Sequence, residues 1–188
     1  MRTKFFVALL FTFIFIFSFN VSQAQEHDEH HDADHADSHS GHHVYRHHAA
    51  LFLGATTNFK HETTMFTVGL DYEFRLSFAH DMFGIGFGAE YLTGEHGQEI
   101  IFGVPIFFHP IAGLKFNVAP LFAIVETLGH DEGHGHVTEP SWDNYFGFRA
   151  GIAYDFHLGR FSISPTLNTD FVDGTVSLVY GIGLGVGF

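Results

Sequence analysis

The last 14 residues of the chain, residues 175–188, read TVSLVYGIGLGVGF, and large apolar side chains alternate there with small or polar ones. The apolar positions are Val176, Leu178, Tyr180, Ile182, Leu184, Val186 and Phe188. Four of the intervening positions are glycine. Because side chains of a β-strand point alternately to the two faces of a sheet, a period of two predicts a strand. At 13 or 14 residues it is longer than most strands of soluble proteins.

The same alternation recurs along the chain and gives eight segments in all. They cover residues 50–58, 66–78, 83–91, 100–108, 114–124, 146–156, 161–171 and 176–188. Their apolar faces are rich in aromatic residues, and the chain contains 25 Phe and 21 Gly. This pattern predicts an all-β fold, an eight-stranded antiparallel up-and-down β-barrel.

Two barrel architectures place the apolar faces differently. In a soluble lipocalin-like barrel the apolar side chains line the interior, whereas in a transmembrane barrel they face lipid. Aromatic residues near the predicted strand ends, such as Tyr91, Trp142 and Phe156, fit interfacial girdles. The opposite faces combine glycine with charges, which suits a narrow lumen. The sequence therefore favours a transmembrane barrel, with a soluble exported barrel as the alternative.

Charged residues of both signs lie on the faces assigned to the lumen. Charges that are removed from bulk water need partners, so we expect a cross-strand network of ion pairs. Its predicted members are Asp71, Glu73, Arg75, Glu90, Lys115, Arg149, Asp155 and Asp170. A conduction path is the alternative, although eight strands leave room for little beyond side chains.

The N-terminal part of the chain predicts export. Residues 1–24 have the features of a signal peptide, because Arg2 and Lys4 precede an apolar run and small residues at 22 and 24 offer a cleavage site. Residues 25–48 are rich in His and Asp and predict a disordered tail, followed by the barrel at 49–188. The formal net charge of −13 disfavours nucleic acid as a partner, because phosphate binding needs a basic face. The absence of Cys excludes disulfides and thiolate metal sites.

The connections between the predicted strands indicate an orientation. Those after the second, fourth and sixth strands are tight, whereas those after the first, third and fifth are expected to be longer, the last spanning residues 127–143. Outer-membrane barrels have short periplasmic turns and longer outer loops. An even number of strands then places both termini in the periplasm, and the predicted location is the outer membrane.

With these features the chain resembles the small eight-stranded outer-membrane β-barrel family of Gram-negative bacteria, over residues 49–188. In that family a terminal aromatic residue closes an alternating strand that the outer-membrane insertion machinery reads. The resemblance implies that Tyr180 and Phe188 belong to an assembly signal, and that membrane lipid and this machinery are partners. Family members include structural anchors, adhesion or resistance factors and a few lipid-modifying enzymes, so the fold alone does not define the function.

The most distinctive chemistry of the sequence is its histidine. The tail holds His27, His30, His31, His35, His39, His42, His43, His47 and His48, and six of these recur every four residues. Imidazole with interleaved carboxylates suits Zn, Cu, Ni or Co. The alternatives are a solvated polar spacer and a pH-responsive tail, whose charge would change near the free histidine pKa of about 6.5.

A second histidine cluster lies in the longest predicted loop, at His130, His134 and His136. Three nitrogens and the carboxylate of Glu139 could converge on one metal ion there, or the segment is an ordinary hydrophilic loop. The isolated histidines are expected at interfaces or turns. They are His61, His80, His96, His109 and His157.

Three functions follow from these observations. The first is envelope metal handling through the histidines, and the second is a metal-independent structural or surface-interaction barrel. The third and weaker one is a lipid-modifying enzyme, which needs a nucleophile near a histidine. Ser141 with the loop histidines and Ser162 with His157 are the candidates, and neither forms a recognisable motif, so we predict that the chain is not an enzyme and requires no cofactor.

Overall fold

The computed structural model describes residues 45–78, 81–95, 97–127 and 140–188. The β-segments of these ranges are β1 (His47–Asn58), β2 (Thr63–Leu76), β3 (Phe83–Gly94), β4 (Gly97–Gly103), β5 (Ile106–Ile111), β6 (Leu114–Thr127), β7 (Ser141–Tyr154), β8 (Phe156–Leu158), β9 (Phe161–Val172) and β10 (Thr175–Gly187). Within them, no helix has the length and apolar character needed to cross a membrane.

The segments form one closed antiparallel sheet. The order of pairing follows the chain, except that β4 with β5 and β7 with β8 do not pair with each other, and β10 pairs with both β9 and β1. Segments β4 and β5 make up one strand that is interrupted at Val104 and Pro105, and β7 and β8 make up another, interrupted at Asp155. The ten segments therefore amount to eight barrel strands, which confirms the predicted eight-stranded antiparallel barrel.

The two faces of the sheet differ as the alternation predicts. Large apolar side chains stand exposed on the outer face, among them Leu51, Leu53, Phe66, Phe74, Ile85, Phe87, Phe116, Val118, Phe148, Ile152, Ile163, Leu167, Tyr180, Ile182 and Leu184. Most residues between them are buried or half-buried in the lumen. An exposed apolar surface of this extent needs a covering in water, and lipid provides one.

The two ends of the barrel differ in the chain termini and connections that they hold. The terminal end holds both ends of the barrel chain and the connections at 77–82, 112–113 and 159–160. The loop end holds the connections at 59–62, 95–96, 128–140 and 173–174.

Two expectations about the connections were wrong. The third one is short, because β3 and β4 stay paired up to Gly94 and Gly97 and only residues 95 and 96 join them. The second one, at 77–82, is longer than predicted. Connection length therefore does not alternate around this barrel, and the connection after β6 is the long one at the loop end.

The barrel also begins earlier than the predicted boundary at residue 49. Segment β1 starts at His47, which pairs with Phe74, and the backbone N–H of Arg75 donates to the carbonyl oxygen of Arg46 at 2.8 Å. His47 and His48 thus lie in a strand rather than in the predicted tail.

Candidate functional site

The lumen of the barrel is apolar towards the loop end. Buried side chains from four neighbouring strands pack together there, namely Met65, Leu92, Ile101, Ala119, Leu121 and Ala123. Val125, Tyr145 and Val172 pack against this cluster. These residues form an apolar layer in the lumen above its charged part, beside the buried hydroxyl pair of Thr56 and Thr67.

Directly below the apolar layer, Arg149 of β7 joins two carboxylates from opposite directions. Its Nε and Nη2 donate to the two carboxylate oxygens of Asp170 at 2.6 and 2.7 Å. Its Nη1 and Nη2 donate to Glu90, the latter at 2.7 Å. All three side chains are buried. Bidentate pairing on both sides fixes the planar guanidinium and links β3 to β7 and β9 across the lumen.

A second charged cluster lies nearer the terminal end and centres on Glu73. His109 Nε2 lies 2.6 Å from Glu73 Oε1, and Arg75 Nη2 lies 3.1 Å from His109 Nδ1. Since arginine can only donate, His109 Nδ1 accepts from Arg75 and its Nε2–H donates to the carboxylate. This arrangement defines the tautomer of the neutral imidazole. Arg75 Nε also lies 3.4 Å from Glu73 Oε1.

Lys115 connects this cluster to the next strands. Its Nζ lies 3.5 Å from Asp155 Oδ1 and 4.0 Å from Glu73 Oε2, and it stands over the ring of Phe107. Asp155 also accepts a hydrogen bond from Ser164 Oγ at 2.5 Å. Asp155 thus lies at the break between β7 and β8, where its buried carboxylate has both a cation and a hydroxyl donor.

Between the two clusters lies a small cavity whose lining is mainly apolar, with several polar and charged groups among the apolar ones. Its volume is about 70 Å³, and Asp71, Lys115, Asn117 and Arg149 contribute to its wall. Asn117 Nδ2 donates to Asn168 Oδ1 at 3.0 Å, while Asn117 Oδ1 is buried without a partner among the described residues. A cavity of this size has room for a few water molecules beside these polar groups. Asp71 is the member of the predicted network that the described residues leave outside an ion pair.

Glycines of the lumen face make room for the carboxylates. A Cβ atom at Gly84 would lie 2.6 Å from Glu73 Oε1, and one at Gly88 would lie 2.7 Å from Asp71 Oδ1. The glycine-rich third segment is therefore the surface against which the long acidic side chains of β2 lie.

Several lumen residues were absent from the predicted network. His109 was expected at an interface or turn but is buried in the lumen, and His48 Nε2 lies 2.9 Å from Ser162 Oγ. The alternation could have predicted both positions, since His109 lies on the same strand face as the buried Phe107 and His48 on the same face as the buried Phe52. The register shift after Phe108 obscured this assignment for His109.

The predicted metal ligands fall mainly outside the described residues. This applies to His27, His30, His31, His35, His39, His42 and His43 of the tail and to His130, His134 and His136 of the loop. His47 Nδ1 lies 2.7 Å from Tyr72 Oη, and His48 lies against Ser162 in the lumen. Among the residues that are described, no group of three or more His, Asp or Glu could hold a metal ion.

The other predicted residues have clear places. Ser162 is buried and contacts His48, whereas His157 is exposed in β8. Ser141 is exposed at the first position of β7. Tyr180 is exposed on the outer face of β10, and Phe188 follows β10 directly.

The fold can be compared with those of known proteins. No family model matches the sequence, and no curated protein matches it. The N-terminal β-barrel domain of Pseudomonas aeruginosa OprF is similar in structure, with a TM-score of 0.50 and 13% identity, over 77% of this chain and 98% of that domain. Neisserial surface protein A has a TM-score of 0.48 and 11% identity, over 76% of this chain and 96% of its own. Ail, the attachment invasion locus protein of Yersinia pestis, has a TM-score of 0.48 and 12% identity over the same shares.

The closed barrel, its apolar outer face and its charged lumen define the class of the protein. The chain has the fold of the small eight-stranded outer-membrane β-barrels, as the likeness to the OprF domain also indicates. At 13% identity this likeness concerns the fold.

Proposed function

We propose that the protein is a closed outer-membrane barrel that acts as a structural or surface-interaction anchor. The observation that carries this proposal is the lumen of packed and ion-paired side chains inside an apolar outer face. An apolar layer lies at the loop end, and Arg149 with its two carboxylates lies directly below it. We therefore expect these packed and ion-paired side chains to block the passage of ions.

The proposed orientation places the terminal end in the periplasm and the loop end outside the cell. The even number of strands puts both termini on one side, and the longest connection, 128–140, lies on the other. In this orientation the protein displays its loops outside and its histidine-rich tail in the periplasm.

Two measurements on the purified mature chain test the anchor proposal. The protein should require detergent and should migrate faster on gels when unboiled than when boiled, because a closed barrel resists detergent unfolding. In planar bilayers it should show no steady conductance. A monodisperse protein without detergent would contradict the membrane location, and a stable open channel would contradict the closed lumen.

Metal handling by the histidine-rich tail is the second candidate function. Nine histidines with interleaved carboxylates between residues 27 and 48 favour it. The barrel uses His47 and His48 in its own contacts, so the ligand set that we propose is the seven histidines from 27 to 43. A flexible site without thiolates should exchange its metal readily.

Calorimetry on a peptide of residues 25–46 tests this second function. It should bind Zn, Cu or Ni at pH 7 and release the metal below about pH 5.5, since imidazole must be deprotonated to coordinate. Replacing His27, His31, His35, His39 and His43 by Asn should abolish binding. The same replacement in the full chain should change growth under metal excess or starvation, and unchanged growth would argue against a metal role in the cell.

A further inference from the structure

The described part of the lumen below the apolar layer holds more acidic than basic side chains. The five carboxylates are those of Asp71, Glu73, Glu90, Asp155 and Asp170, and the three basic residues are Arg75, Lys115 and Arg149. Even if one of the lumen histidines, His48 or His109, carries a proton, negative charge remains in excess. Charges that are removed from bulk water need compensation, so this excess requires a further positive group.

Asp71 is the carboxylate to which this excess belongs. It is the one member of the five that forms no salt bridge with a described cation. Its direct neighbours on the adjoining strands are Ala50 and Gly88, which have no polar side chain. On β3, the side chain diagonal to Asp71 is Glu90, which is a second carboxylate. The neighbouring strands therefore offer Asp71 space and a like charge, but no cation.

The small lumen cavity lies beside this carboxylate. Asp71, Ala50 and Gly88 belong to its wall, and Asn117 of β6 belongs to it as well. Asn117 is 8% exposed, and its Oδ1 has no hydrogen-bond partner among the described residues, although its Nδ2 donates to Asn168. A buried oxygen without a donor indicates a bound water molecule or ion. The cavity wall thus combines one charged and one neutral oxygen ligand.

These two oxygens favour a monovalent cation over water alone and over a divalent ion. Water can donate to Asn117, but it brings no charge to offset that of Asp71. Ca²⁺ and Mg²⁺ require many oxygen ligands in a defined arrangement. The described residues provide no group of three or more His, Asp or Glu that could hold a metal ion. A monovalent cation needs fewer anionic ligands, and the cavity has room for water beside it.

We propose that the lumen cavity binds one monovalent cation, Na⁺ or K⁺, with Asp71 as its charged ligand and Asn117 Oδ1 as its neutral ligand. Water molecules complete the coordination. The bound cation offsets part of the negative charge of the lumen and thereby stabilises the folded barrel. This role goes beyond that of an anchor, and it is structural, since the apolar layer lies above the cavity and the Glu73 cluster below it.

Urea unfolding of the full mature chain in phosphatidylcholine vesicles tests the proposal. Total salt is kept constant at about 200 mM, and NaCl or KCl is compared with choline chloride, whose cation is too large for the cavity but screens charges equally. A cation that binds only the folded state lowers the equilibrium constant of unfolding. We expect a constant at least about fivefold lower in NaCl or KCl than in choline chloride. Equal constants in all three salts would overturn the proposal.

A matched pair of Asp to Asn variants assigns the effect to the cavity. Asp71→Asn removes the charged ligand at nearly constant size and should abolish the difference between the salts. Asp173→Asn changes an exposed turn residue with a φ of 49°, which Asn tolerates well, and should retain the difference. Gel mobility without boiling confirms that both variants are folded. A difference that persists in Asp71→Asn, or that disappears in Asp173→Asn, would contradict a site at Asp71.

Thallium NMR detects the bound cation without any variant. The probe is Tl⁺, which resembles K⁺ in charge and size. The folded wild-type chain should shift or broaden the Tl⁺ signal, and an excess of KCl should reverse this change, whereas choline chloride should not. A Tl⁺ signal that is the same with folded and with urea-unfolded protein would overturn the proposal.

Infrared spectroscopy separates cation binding from the binding of a proton by Asp71. A proton on this carboxyl group would also remove its charge, and it would produce the absorption band of a neutral carboxylic acid. The difference spectrum between the wild-type chain and Asp71→Asn at pH 7 in NaCl should contain only carboxylate bands. A neutral carboxyl band in this difference spectrum would show that a proton takes the place of the cation, and would overturn the proposal.

Discussion

Arg149 lies where the apolar part of the lumen meets its charged part, and it makes four contacts with two carboxylates. Glu90 and Asp170 are both buried, and among the described residues this guanidinium is the charge partner of each. The sequence predicted that the lumen charges would lie on one face, since parity alone determines the face. The choice of partners was not predictable, because it depends on the stagger of strands that are distant in sequence.

Replacing this arginine should therefore destabilise the barrel strongly. Arg149→Met leaves two buried carboxylates without a cation, and we expect a loss of about 3–5 kcal/mol in the free energy of unfolding. Arg160→Met, in the exposed turn after β8, should change it by less than about 0.5 kcal/mol. Urea unfolding in lipid vesicles measures both. A loss at position 149 no larger than that at position 160 would contradict the structural role of this cluster.

Gly181 and Gly54 lie opposite each other where β10 closes against β1. A Cβ atom at 181 would meet the carbonyl oxygen of Leu53 and lie 2.6 Å from the Cα atom of Gly54, so the strands would have to separate. At Gly183, two residues further along β10, the nearest atom is Ser164 Cβ at 3.3 Å. The two glycines look equivalent in sequence, and only the register distinguishes them.

This difference predicts unequal effects of the same substitution. Gly181→Ala should lower the free energy of unfolding by about 1–3 kcal/mol, because it overpacks the closing seam. Gly183→Ala should cost less than about 1 kcal/mol, since one neighbouring side chain can shift slightly. Unfolding of the two variants under identical conditions checks the order, and an equal or reversed order would refute the proposed closing register.

At the scale of elements, long alternating segments were predictable and their ends were not. The pattern in β10 continues without a break from Thr175, and the strand pairs on both sides as expected. Segment β4 ends early because Pro105, which has no N–H, interrupts the ladder of hydrogen bonds. The carbonyl oxygen of Pro105 still accepts a hydrogen bond from the backbone N–H of Gly86 at 2.8 Å. The sequence did not predict that the connection at 95–96 is so short. The paired residues beside it, Thr93 with Gln98 and Gly94 with Gly97, are polar or small, as loop residues usually are.

The C-terminal strand also carries the proposed assembly signal. Deleting Phe188 should lower the amount of barrel that is assembled in the outer membrane, while export of the chain continues, because this residue lies outside residues 1–24. Immunoblots of unboiled membrane fractions separate folded from unfolded protein. Deletion of residues 27–31 in the tail is the matched control and should leave assembly unchanged. An equal yield without Phe188 would show that the terminal aromatic is dispensable.

At the scale of the whole molecule, the charge is distributed unevenly along the barrel axis. Most described charged residues at the loop end are acidic, namely Glu62, Glu95, Glu99, Glu126, Asp143 and Asp173. Most charged residues in the lumen are ion-paired. Arg46, Arg75 and Arg160 lie towards the terminal end. The acidic net charge is evident from the sequence. Only the closed barrel shows which charged residues line the lumen and which lie at the loop end.

The central claim is that the apolar face of the barrel contacts lipid and the charged face lines the lumen. Spin labels at Ile182→Cys, on the outer face, and Ser164→Cys, in the lumen, test it in lipid vesicles. We predict that the label at 182 collides frequently with oxygen and rarely with a water-soluble nickel chelate, as a lipid-exposed group does. The label at 164 should be shielded from oxygen in the bilayer. A label at 182 that is accessible to the nickel chelate, in a protein that stays monodisperse without detergent, would contradict the membrane barrel.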